Sequence, residues 1–84
     1  MKIFCFIDMF AAKQSIYKVD DKGDMEKVAT TKTNIVAETL LRTCTHFKLN
    51  TIHICGPEEY VKQIAAEIKT IPEYSIFNIK VEVN

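Results

Sequence analysis

Residues 2–10 read KIFCFIDMF, and this stretch decides the fold. From Ile3 to Phe10 both alternating sets of side chains are apolar. Phe4, Phe6 and Phe10 form one set; Ile3, Cys5, Ile7 and Met9 form the other. Successive side chains of a strand point to opposite faces, so a strand apolar on both belongs at the centre of a sheet, covered from each side. One carboxylate, Asp8, interrupts the run near its end, where it is expected to mark the strand's polar exit, accepting hydrogen bonds from the FAAK turn or pairing with Lys13.

Working outward, QSIYKVD (residues 14–20) supplies a second strand carrying Ile16, Tyr17 and Val19. DDKGD is a turn, because Asp side chains bond nearby backbone and Gly23 accepts a positive φ. MEKVATT (25–31) reads as a third, half-apolar strand near an edge. The hydrophobic period then changes from two to 3.6. In TNIVAETLLRTCTHF (33–47), Val36, Leu40, Cys44 and Phe47 share a helical stripe, flanked by Ala37 and Leu41, with Thr33 as the expected N-cap. LNTIHIC (49–55) is a fourth strand, ended by Gly56. Pro57 opens a second helix whose dipole Glu58 and Glu59 complement, with Tyr60, Ile64, Ile68 and Ile71 on its buried side. After Pro72, SIFNIKVEV (75–83) alternates Phe77, Ile79, Val81 and Val83 against Asn78, Lys80 and Glu82 as a fifth strand. The order βββαβαβ predicts an α/β domain: a five-stranded mixed sheet in the order 3-2-1-4-5, with both helices on one face if both crossovers are right-handed.

Composition narrows the classes. A chain of 84 residues makes one domain, since chains this short bury only about 60% of their unfolded surface. Apolar residues are 48% and charged residues 26%, as in ordinary globular proteins. Eleven basic and eleven acidic residues cancel, so no global charge draws the chain to nucleic acid or an anionic membrane. Cys5, Cys44 and Cys55 are odd in number and lie in apolar segments, the pattern of reduced thiols packed as small hydrophobes. The apolar run after Lys2 is too short for a signal peptide, and nothing approaches the roughly 18 apolar residues of a membrane span. The expectation is a cytoplasmic protein.

Three stretches, FIDMF, TTKTNIVAETLL and IHICGPEEYVKQI, together with the element order, give a pattern that resembles the ribonuclease H-like superfamily across essentially the whole chain. That resemblance implies carboxylates holding two divalent metals, which clamp the attacking and leaving oxygens of a phosphodiester cleavage. By similarity Asp8 matches the first-strand acid and metal ligand, and Glu38 the acid of the first helix. Pro57 stands where the fourth-strand acid belongs, with Glu58 one residue beyond, and the pattern's terminal helix has no counterpart in these 84 residues. Glu38 also lies away from its helix's apolar stripe. The ATPases that share this topology need glycines in their phosphate loop, and DMFAAKQ has none.

Other constellations point to packing. Cys44, His46, His53 and Cys55 are zinc-ligand types, but Cys44 and His46, two apart on a helix, point nearly opposite ways. Cys55 and His53, two apart on a strand, stand about 6–7 Å from each other, too far for a thiol–base hydrogen bond. At GPEEY, Glu58 and Glu59 occupy the helix N-terminus and repel phosphate. Lys13, Lys18, Lys22, Lys27 and Lys32 are interspersed with Asp20, Asp21, Asp24 and Glu26, a mixed solvated surface.

The sequence reading is therefore a non-catalytic interaction or assembly protein of ribonuclease H-like fold with no cofactor. The first strand is apolar on both sides, yet no third helix exists to cover its second face. A second copy of the chain, giving a homodimer or other homo-oligomer, or another protein partner, is expected there. The residues expected at that interface are Ile3, Phe4, Cys5, Phe6, Ile7, His53, Cys55, Lys80 and Glu82. The first alternative is a magnesium-dependent nuclease using Asp8, Glu38 and Glu58; the second is a nucleic-acid-binding accessory module.

Overall fold

The computed structural model describes all 84 residues. Five strands and two helices follow in the expected order: β1 Lys2–Phe6, β2 Lys13–Val19, β3 Met25–Lys32, α1 Val36–Phe47, β4 Thr51–Gly56, α2 Glu58–Lys69 and β5 Asn78–Val83. Short 3-10 turns at Thr33–Ile35 and Pro72–Ile76 precede α1 and β5. The sheet order is β3-β2-β1-β4-β5. β2 pairs antiparallel with β1 and β3, whereas β4 pairs parallel with β1 and β5. No helix is long and apolar enough to cross a membrane.

Both helices pack on the same face. One set of strand side chains, Ile3, Cys5, Ile7, Ile16, Ile52 and Ile54, is wholly buried in a single cluster with Val36, Leu40 and Cys44 of α1 and Val61, Ile64 and Ile68 of α2. Buried Tyr74, from the turn before β5, closes this layer by donating its hydroxyl to the Ala37 carbonyl of α1. The opposite face of the sheet carries no helix.

The structure ends β1 at Phe6 rather than Phe10. Ile7 still donates its N–H to the Cys55 carbonyl at 2.7 Å, but Asp8 then turns the chain. The Asp8 carboxylate accepts the Phe10 N–H at 2.9 Å and the Asp8 carbonyl accepts the Ala11 N–H at 3.2 Å, a local pairing that competes with the ladder. Phe10 is left 92% exposed at the tip.

Thr33 is not a helix cap either. Its hydroxyl faces the Ala11 and Ala12 carbonyls and accepts from Gln14 Nε2 at 3.0 Å, so α1 begins only after a 3-10 turn. Gln14 is buried and holds the turn together. It accepts the Asp8 N–H at 2.8 Å and donates to the Asp8 carbonyl at 3.0 Å. At the end of β4, a Cβ on Gly56 would stand 2.7 Å from the Ile7 Cβ, so only glycine lets these two strands approach.

Candidate functional site

The candidate site is the helix-free face, and strand register builds it. Phe4 pairs with His53 and His53 with Lys80; one step along, Phe6 pairs with Cys55 and Cys55 with Glu82. Side chains opposite one another share a face, so these six form two parallel rows across β1, β4 and β5. On the other side of β1, Tyr17 and Lys27 extend the first row, and Ser15 and Thr30 the second.

The face is apolar at its centre and charged at one margin. Phe4 is half-buried and meets His53 edge-on, with ring centroids 5.0 Å apart. Phe6 stays 46% exposed. At the margin Glu82 is a hub: Oε1 lies 3.3 Å from His53 Nε2 and 3.7 Å from Lys80 Nζ, and Oε2 accepts from the Cys55 thiol at 3.8 Å. The His53 side chain is only 12% exposed, and neither ring nitrogen is properly hydrogen-bonded within the chain, because the approach to Glu82 is poorly aligned. Buried, unpaired ring nitrogens cost on the order of 1–3 kcal/mol. Burial raises the Cys55 thiol pKa, and the Glu82 carboxylate raises it further. Such a thiol stays protonated near neutrality and is a poor nucleophile.

Of the residues expected at an interface, Phe4, Phe6, His53, Cys55, Lys80 and Glu82 stand on this face. Ile3, Cys5 and Ile7 do not: all three are fully buried beneath the helices. Both sides of β1 are apolar, but each residue can serve only one of them. Sequence reading missed Tyr17 and Lys27; the signal for Tyr17 was the alternation within QSIYKV, usable only once the β1–β2 register is known, and Lys27 follows from its pairing with Tyr17.

The carboxylates expected of a nuclease are not gathered into a centre. The Asp8 carboxylate is engaged by its own turn. Glu58 pairs with Lys62 Nζ at 2.7 Å on the same helix, a hydrogen bond that lowers its pKa. Glu38 is exposed on α1 and forms no ion pair. No three His, Cys, Asp or Glu side chains are placed to hold a metal ion, so the residues present do not fit a two-metal site. The zinc set is divided as well: Cys44 is buried in the core beneath α1, whereas His53 and Cys55 lie on the opposite face of the sheet.

No protein-family model matches the chain, and no curated protein is significantly similar to it.

Proposed function

We propose that this chain is a non-catalytic assembly protein that pairs with a second copy of itself through the helix-free face. The observation that carries the reading is the pattern of the two rows. A twofold axis running across the strands, midway between the rows, exchanges them. It sets Lys80 against Glu82 of the second copy, Phe4 against Phe6, and His53 beside Cys55. Lys27 meets Thr30, so no like charges oppose among these residues. A self-complementary patch is what a twofold interface requires.

Size agrees with a modest dimer. Five strands about 4.8 Å apart and about 20 Å long present roughly 500 Å² per protomer. About 1,000 Å² in total sits at the lower bound for a specific interface, which suits a dissociation constant in the micromolar range or weaker. Phe4 and Phe6 supply the aromatic anchors such an interface needs. The fold label ribonuclease H-like remains part of this proposal, supported by element order and strand order alone.

Light scattering over a hundredfold concentration range tests the reading. Mass is expected to rise from one protomer toward two, and Phe6→Ser should hold the chain monomeric while leaving its circular dichroism unchanged. A chain that stays monomeric to about 1 mM, or a dimer indifferent to Phe6→Ser, overturns it.

A further inference from the structure

We infer that the outer edge of β3, walled by α1, is a docking groove for an extended acidic peptide. This surface adjoins the helix-free face along Thr30 and Lys32 but does not depend on self-association. β3 ends the sheet, so a row of its backbone N–H and C=O groups has no partner strand. Two adjoining clefts of about 340 and 330 Å³ lie between this edge and α1, and Arg42 lines both. The strand offers hydrogen bonds to any backbone laid along it, and the clefts receive that peptide's side chains, the mode called strand addition.

Charge and polarity specify the guest. Lys13, Lys32 and Arg42 line the first cleft, and none of them belongs to any of the chain's ion pairs. No carboxylate lines either cleft. Three unpaired cations in one cleft repel each other, and a bound carboxylate relieves that repulsion. Two of the neighbouring hydroxyls are already committed: Thr31 donates to Thr39 at 2.8 Å, and Thr39 donates to the Ile35 carbonyl at 3.1 Å. The second cleft has two apolar walls, Val28 and Phe47.

A break in the ladder divides the groove. Ile16 pairs with Ala29 but Tyr17 pairs with Lys27, so Val28 is a bulge. Bulges bend an edge and interrupt further pairing. Strand addition is therefore confined to Ala29–Lys32, beside the cations, and the cleft past the bulge takes one apolar anchor. A guest with alternating carboxylates followed by an aromatic residue satisfies both halves. A nucleic-acid backbone would satisfy the cations but would leave the strand's amides and the apolar half unused.

The test is an amide-resolved NMR titration of the full chain. The probes are the capped hexapeptide EVEVTF and its reverse, FTVEVE, which offer both strand directions. Saturable shifts are expected at Ala29–Lys32 and Arg42 with one of them and not with KVKVTF. Arg42→Gln, a change at an exposed position, should weaken binding at least about fivefold. N-methylation of alternate peptide amides should abolish binding, because it removes the backbone donors. The inference fails if inorganic phosphate or a short single-stranded RNA reproduces the same shifts, since that is an anion site without strand addition. It also fails if N-methylation changes nothing, if the shifts fall on Phe4, Phe6 and His53 instead, or if neither acidic peptide binds.

Discussion

The two faces of β1 are the instructive comparison. On one, Ile3, Cys5 and Ile7 are sealed beneath α1 and α2, with no exposed surface at all. On the other, Phe4 and Phe6 are larger and equally apolar, yet Phe6 keeps 46% of its surface in contact with solvent. The residues of a single strand thus meet opposite fates. Burial follows from where the helices go, and both crossovers of this chain place their helix on one side. The smaller side chains Ile3, Cys5 and Ile7 pack under the helices, while the flat aromatic ones stand on the open face.

If that contrast is right, the two faces should respond very differently to truncation. Leu40 is wholly buried at the centre of the covered layer. Leu40→Ala leaves a cavity and should cost about 2–5 kcal/mol, a large part of the stability of so small a domain. Phe6→Ser, measured at concentrations where the chain is dilute, should cost no more than about 1 kcal/mol, because half of the ring is already solvated. Urea unfolding midpoints check both. Equal losses would mean that the open face is part of the monomer's core.

The covered face should also make the chain sensitive to alkali. Burial pushes the Cys5 thiol from 9.0 up to about 12 and the Cys44 thiol up to about 11. In the unfolded chain both ionise near their ordinary value, so between pH 9.0 and about 11 the unfolded state loses protons that the folded state keeps. Stability is therefore full below pH 9.0 and falls as pH rises through the folded values. At about 1.4 kcal/mol for each pH unit between the ordinary and folded values, the two thiols together contribute on the order of 7 kcal/mol. Buried Tyr74, whose hydroxyl is also pushed up by burial, adds a fall in the same direction. Cys5→Ala isolates the thiol's share. It lowers stability at neutral pH by creating a cavity but should flatten the alkaline decline. A decline as steep as the parent's would exclude Cys5 as a cause.

The architecture was legible because the signals for it are local. Period-two runs, the 3.6-residue stripe of Val36, Leu40 and Cys44, and Pro57 at a helix start were enough to order the elements. Errors fell where side chains bond to backbone out of sequence. Asp8 was legible as a carboxylate bonding the turn that follows it, but β1 ends at Phe6, four residues before Phe10, where Gln14 clasps that turn, and Thr33 served the 8–12 turn instead of capping α1. No periodicity encodes a glutamine that clasps a turn. The candidate site was half legible: its residue types could be read, but which face each residue joins depends on register. Ile3, Cys5 and Ile7 were therefore grouped with Phe4 and Phe6 although they point the other way. The groove beside β3 was not legible at all, because Lys13, Lys32 and Arg42 come from three separate elements.

The finest test of the comparison lies at the margin of the open face. Lys80 and Glu82 are neighbours on β5, with 69% and 50% of their side chains exposed, and their intrachain contact is loose at 3.7 Å. Such a pair contributes little to a monomer, at most a few tenths of a kcal/mol. In the exchanged-row dimer, however, each meets its opposite on the second copy, twice over by symmetry. Lys80→Glu alone sets acid against acid at both places and should weaken dimerisation about five- to tenfold, given roughly 0.5–0.7 kcal/mol for each of two exposed pairs. Glu82→Lys alone should do the same with bases. The double reversal restores both pairs and should recover most of the parent's affinity, and added salt should shrink all of these differences. The cycle is read from the dimer mass at fixed concentration. If the singles weaken association and the double does not rescue it, the two rows do not face each other, and the axis must lie elsewhere on the same face. If neither single has any effect while Phe6→Ser still abolishes the dimer, the aromatic centre alone holds the two copies together and the charged margin stays in water.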